Sequence, residues 1–269
     1  MSISQGYLCQ VNDQLSCGTC CGLYNIEKLN REHLQDLLFE RTERFSRVPR
    51  DMESILIFKR EIESLESQNR PDSGMHHCPF VGLIGDTMAT VGCLLHPLSP
   101  ANKKIDFRGL SFWGGLACSS YFCLSHRDLP VGYKQILKKA IDDWYLYGLV
   151  VTEKDMIGEF FTAVETASGR NLEKSDWEDN EDFLDTVKAF FELKRNWPYR
   201  PDANTDICNF SFGANPDESP LGSKLADKKI SIPFPAILKA LNTNVETDSE
   251  LEVCIRQIEE LVQNAAGAI

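Results

Sequence analysis

Cys17-Gly18-Thr19-Cys20-Cys21 places three thiols in five residues. Cys9, Cys78, Cys93, Cys118 and Cys123 lie in the same part of the chain, so eight of the ten cysteines fall within the first 123 residues. Thiols crowded this tightly are usually holding something. The chain has 269 residues, 42% hydrophobic and 25% charged, which is enough to bury an ordinary globular core without cysteine staples. Residues 1–8 show no basic segment followed by an apolar one, as a secretion signal requires. No run of roughly 18 apolar residues occurs, so no membrane-spanning helix is expected. The expected location is a reducing cytoplasm, where clustered cysteines more often bind metal or do redox work than form disulfides.

Working outward, the sequence reads as mainly α, a helical protein with an irregular, loop-rich, cysteine-bearing region. Leu34, Leu37, Leu38, Arg41 and Phe45 recur at helical spacing and predict a helix over 32–45, with Asn30 as its cap. Ile55, Leu56, Phe58, Ile62 and Leu65 predict a second over 52–65. This pair, an insert at about 31–67, would run antiparallel and bring Cys78 back to the Cys17 group. Residues 78–123 carry Gly82, Gly85, Gly92, Gly109, Gly114 and Gly115, and read as loops and short strands wrapped around a site. Further helices are expected over 132–151, from a cap at Thr152-Glu153-Lys154-Asp155 to about 167, and over 176–197. Residues 199–227 read as loop. Two helices close the chain, one near Pro233 and one behind the capping box Thr247-Asp248-Ser249-Glu250. The expected organisation is a metal-binding region over 1–128 and an acidic helical region over 129–269 packed against it.

The formal charge of −12 is unevenly spread: residues 1–151 hold 16 basic and 17 acidic side chains, and residues 152–269 hold 12 and 23. An acidic surface repels phosphate, so nucleic acid is not an expected partner, nor is a membrane. A basic partner protein would suit the acidic part, although a solvated acidic surface is the plainer reading.

Thiolates are soft ligands that suit zinc and iron–sulfur clusters. The C-x-x-C spacing of Cys17 and Cys20 lets two thiolates reach one ion from a single turn. Cys21 points elsewhere and would serve another side of the same centre or a second site. Cys93-Leu94-Leu95-His96 and Cys118-x4-Cys123 are looser pairs, and Cys78 has Pro79 behind it, as in some ferredoxins. The candidate metal ligands are therefore Cys9, Cys17, Cys20, Cys21, Cys78, Cys93, Cys118 and Cys123, with His96 and His126 as open additions. The alternative is that several are buried thiols acting as small hydrophobes. Structural zinc sites usually show two tight knuckles, and this chain has one. Phe80, Phe112, Trp113, Tyr121 and Phe122 lie beside the cysteines in sequence and would form a dry wall around a cluster. These points favour an iron–sulfur cluster over zinc.

The run Cys17-Gly-Thr-Cys20-Cys21, then Cys78-Pro-Phe, Gly92-Cys93-Leu-Leu-His96-Pro97 and Cys118, resembles the CxxCxxCC cysteine-cluster family, described as a zinc- or iron-chelating domain found in bacteria. That family is similar to the cysteine part of flagellin lysine-N-methylases, which are associated with an iron–sulfur cluster. The resemblance covers roughly residues 9–123 and implies Cys17, Cys20, Cys21, Cys78, Cys93 and Cys118 as ligands. Gln14 stands where the family has its first cysteine, and Arg108-Gly109 where it often has Arg-Pro nearer the last one. The function expected is a metal-binding protein with a structural or redox role. The alternative is a protein-modifying enzyme similar to the methylases, although no cofactor loop or acid–base pair is visible. His126-Arg127-Asp128-Leu129 copies the start of a kinase catalytic loop by chance, since Tyr133 stands where that loop needs Asn.

Overall fold

The computed structural model describes residues 6–66, 69–201, 206–210 and 232–269. The protein is mainly helical, with a small two-stranded sheet. It divides into two compact units, Leu8–Cys123 and a second formed by Leu124–Ile269 with the N-terminal residues up to Tyr7.

The first unit is built on two helices, α1 (Arg31–Ser46) and α2 (Met52–Leu65). Asn30 caps α1 by accepting from the His33 amide, and Asp51 caps α2 by accepting from Ser54. Leu34, Leu38, Arg41 and Phe45 form the buried stripe of α1, and Ile55, Phe58 and Ile62 that of α2. Phe45 meets Phe58 at 5.0 Å and Arg41 meets Glu66, so the two helices run antiparallel. A hairpin of β1 (Val81–Ile84) and β2 (Thr90–Cys93) pairs Val81 with Cys93 and Ile84 with Thr90. It lies on α1 because Gly82 has no side chain: a Cβ there would sit 2.5 Å from Thr42 Oγ1. Thr42 uses that hydroxyl to donate to the Leu83 carbonyl at 2.9 Å. Phe80 completes the aromatic core, 5.9 Å from Phe58 and 6.3 Å from Phe45.

In the second unit the helix Trp144–Val151 buries every residue. Lys154–Ser168, Glu181–Asn196 and the C-terminal Asp248–Gly267 pack together around Phe160, Phe161, Phe190 and Phe191, with Phe160 and Phe190 stacked at 3.8 Å. The capping box at Thr247 and Glu250 forms as its sequence implies.

Several boundaries differ from the sequence expectation. The helix expected over 132–151 is two, Val131–Ala140 and Trp144–Val151. The break falls where Asp143, in extended backbone, accepts from the Tyr145 and Leu146 amides at 2.9 and 3.0 Å and starts a new helix. A local cap outcompetes continuation, because Asp satisfies two amides that would otherwise be orphaned. Thr152 does not cap the next helix; it ends the preceding one, and Glu153 precedes Lys154–Ser168 without a side-chain cap. The helix expected over 176–197 begins at Glu181, because Asn180 caps there and residues Lys174–Asp176 form a separate turn. The loop expected over 199–227 lies largely outside the described residues. Among the described residues no helix is long and apolar enough to cross a membrane.

Replacing Asp143 with Ala should cost about 1 kcal/mol of stability. Chemical denaturation followed by far-UV circular dichroism checks this. An unchanged midpoint would show that Trp144–Val151 is held by packing alone.

Candidate metal centre

Three segments that carry cysteines are joined by backbone hydrogen bonds. The Cys17 amide donates to the Cys9 carbonyl at 2.8 Å, and Thr19–Cys21 form a single tight turn closed by Gly22. The Cys78 amide donates to the Cys21 carbonyl at 2.9 Å, so the helix pair does return the chain to the starting turn. The Leu94 amide donates to the Phe80 carbonyl at 2.9 Å, beside Cys93. Ser16 Oγ accepts from the Val91 amide and Gln10 donates to the Val91 carbonyl, each at 2.8 Å, which fastens the N-terminal loop to β2.

Gly22 sits at φ +75°, and a Cβ there would lie 1.7 Å from the His76 carbonyl oxygen. Only glycine lets the Cys17–Cys21 turn press this close to the chain entering Cys78. Arg41, buried on α1, donates from one guanidinium nitrogen to the Cys78 and Val81 carbonyls at 3.1 and 3.2 Å.

All ten cysteines carry free thiols. Burial, then the Cys20 charge, raises the Cys17 thiol well above the ordinary value, while Thr19 bonds it through both amide and hydroxyl (Sγ to Oγ1 3.2 Å). The Cys21 thiol donates to Cys20. That bond is the largest cause lowering Cys20 and the largest raising Cys21, to which burial and the charges of Cys20, Cys78 and Cys93 add. Burial pushes Cys78 up to about 11 and, with the Cys78 charge, Cys93 up to about 12. Cys118 adds to both shifts. Its own Sγ lies 3.2 Å from Ser111 Oγ.

The structure therefore links the thiols in a chain of electrostatic contacts: Cys9 to Cys17, Cys17 to Cys20, Cys20, Cys78 and Cys93 to Cys21, and Cys118 to Cys78 and Cys93. Cys123 is half-buried beyond the helix Gly114–Ser120 that carries Cys118. Among the described residues no three Cys, His, Asp or Glu side chains already share one coordination sphere. The donor set itself fits a soft ion. At Cys17, Cys78 and Cys93 the amide two residues on (Thr19, Phe80 and Leu95) bonds the sulfur and lowers its pKa against burial. Arg41 and Lys59 act on Cys78, and Arg108 on Cys93, in the same direction. Cys208 receives a similar amide bond from Phe210, but its charged neighbours are Lys194 and Glu153 rather than thiols.

The histidines divide. His96 Nδ1 accepts from the Leu98 amide at 3.1 Å, so the neutral ring carries its proton on Nε2 and offers no free ligand nitrogen as it stands. His126 belongs to the other unit, where its ring meets Tyr7 edge-on at 5.6 Å and its carbonyl accepts from Lys134 at 2.7 Å. His77 was not singled out by the sequence, yet its ring bridges Gly22 and Arg41. Arg41 and Glu66 were missed as site residues too. The available signal was an arginine on the apolar stripe of α1, since a guanidinium is rarely buried without a fixed partner.

The expected dry aromatic wall is not formed. Phe80 is buried but faces Phe45 and Phe58, while Phe112, Trp113, Tyr121 and Phe122 are exposed. The helix Gly114–Ser120 beside them buries none of its residues, because its small and polar side chains offer no apolar stripe. No family model matches the chain, and neither does any curated protein or solved structure.

Gly22→Ala should destabilise the protein by at least about 2 kcal/mol, adding the cost of a left-handed non-glycine residue to the clash with His76. Urea denaturation reads the loss. Wild-type stability would mean that the two segments separate without cost.

Proposed function

We propose that the chain binds an iron–sulfur cluster or zinc through thiolates drawn from Cys9, Cys17, Cys20, Cys21, Cys78, Cys93, Cys118 and Cys123, in a structural or redox role. The observation that carries this reading is the combination of crowded thiols with amides already turned onto three of their sulfurs. Crowding alone is unfavourable, because each thiolate raises the pKa of the next. A bound cation removes that penalty, and N–H groups aimed at sulfur stabilise the deprotonated ligand. Arg41, Lys59 and Arg108 add positive charge around an anionic centre. When bound, such a group supplies either a fixed tetrahedral cross-link or a one-electron carrier.

Within this reading the residues have separate tasks. Cys78 lies just before β1 and Cys93 ends β2, both at the open end of the hairpin where Val81 pairs with Cys93. Cys21 is held by its carbonyl to the Cys78 amide, and Cys118 approaches on a short exposed helix. A reducing compartment, the cytoplasm, fits ten free thiols. The acidic excess of residues 152–269 fits a basic partner protein.

Anaerobic purification followed by absorption spectroscopy and metal analysis of one sample tests the proposal. Absorption near ~400 nm with iron and sulfide is expected for a cluster, and a colourless protein with stoichiometric zinc for a zinc site. Cys78→Ser and Cys93→Ser should each lower bound metal roughly tenfold or more, while Cys254→Ser in the second unit leaves it unchanged. Wild-type protein that retains neither metal would overturn the reading.

A further inference from the structure

We infer that Arg41 and His77 are positioning residues that hold the Cys21 and Cys78 segments together for the thiolate centre, an inference that rests on the metal-binding reading above. His77 Nε2 lies 2.6 Å from an Arg41 guanidinium nitrogen, and His77 Nδ1 lies 2.8 Å from the Gly22 carbonyl oxygen. A guanidinium has donors and no acceptor, so Nε2 is the accepting nitrogen. The proton then sits on Nδ1, which donates to Gly22. The ring is neutral and fixed in one tautomer by its two partners.

One end of the imidazole is thus fixed to the turn that closes behind Cys21, and the other to α1. The same guanidinium donates to the carbonyls of Cys78 and Val81. Turn, loop and hairpin therefore meet at a single side chain that is 1% exposed. Among the described residues neither Arg41 nor His77 hydrogen-bonds a thiol, so both act through the backbone of Cys21, Gly22 and Cys78. Glu66 holds Arg41 from the opposite side with both carboxylate oxygens, which fixes the direction in which the guanidinium faces the loop. No ligand has to be present for this arrangement to exist.

The test compares His77→Leu, which loses both bonds, with His77→Gln, whose amide offers an acceptor and a donor at similar positions. Full-length proteins are purified anaerobically and assayed for metal per chain. Separate samples, stripped of metal with a chelator, are treated with iodoacetamide, and alkylation of Cys21 and Cys78 is measured by peptide mass spectrometry relative to exposed Cys118. His77→Leu should raise both alkylation ratios about tenfold and lower metal per chain by a similar factor, and His77→Gln should restore both to within about twofold of wild type. Where His77→Leu does not fold, His77→Asn is read the same way, since its shorter side chain cannot hold Gly22 and Arg41 together. Unchanged alkylation ratios in a folded variant, or no rescue by Gln, would overturn the inference. Wild-type protein without metal would defeat the metal-binding reading instead, and the alkylation ratios would still decide whether His77 holds the two segments.

Discussion

The first unit depends on one buried charge. Arg41 is almost fully buried, and moving an ion out of water costs several kcal/mol unless its partners replace the lost hydration. Here they do. All five N–H donors are engaged: two by the Glu66 carboxylate, two by the carbonyls of Cys78 and Val81, and one by His77. Those partners come from the end of α2, the loop before β1 and β1 itself. The fold of this unit therefore cannot shift one segment without stranding part of a buried charge. That makes the arrangement of the cysteine loops specific, whatever its net contribution to stability.

The thiols pose the opposite problem. They lie close together without a disulfide, and Cys17, Cys21, Cys78 and Cys93 each resist losing a proton, through loss of hydration and the charge of neighbouring thiolates. Amides at Thr19, Phe80 and Leu95 and the cations Arg41, Lys59 and Arg108 act against that resistance without abolishing it, because Cys78 and Cys93 remain at about 11 and about 12. A soft cation bound among them would supply the missing charge. Backbone hydrogen bonds already join the Cys9 and Cys17 segments and the Cys21 and Cys78 segments.

The second unit solves a similar problem with lysine. Lys194 is fully buried and is held by Glu153 Oε1 at 2.5 Å and the Ala240 carbonyl at 2.9 Å. Asn209 donates to the same two oxygens, at 3.1 and 2.8 Å. The acidic excess of this part of the chain is therefore not purely a surface property, since Glu153 neutralises an internal charge. Tyr145 likewise donates to Asp206 at 2.6 Å, and burial pushes that carboxyl up.

Periodicity and caps were legible in the sequence where they are local. The two helices before Cys78, the aromatic face of Glu181–Asn196 and the capping box at Thr247 follow from spacing, because a helix selects its buried face every three or four residues. The crowding of the cysteines was legible too. The break at Asp143 was not, since apolar residues continue the helical pattern across it and one side-chain cap decides otherwise. Nor was the exposure of Phe112 and Trp113, because nearness in sequence says nothing about which face a loop turns to water. The sequence by itself determined the mainly helical class and the inventory of soft ligands. The return of Cys78 to the Cys17 group across the helix pair was legible too, but only the tertiary structure decided that Arg41 and His77 hold the two segments there. A buried guanidinium and a neutral imidazole reveal their roles only when all their partners are in place.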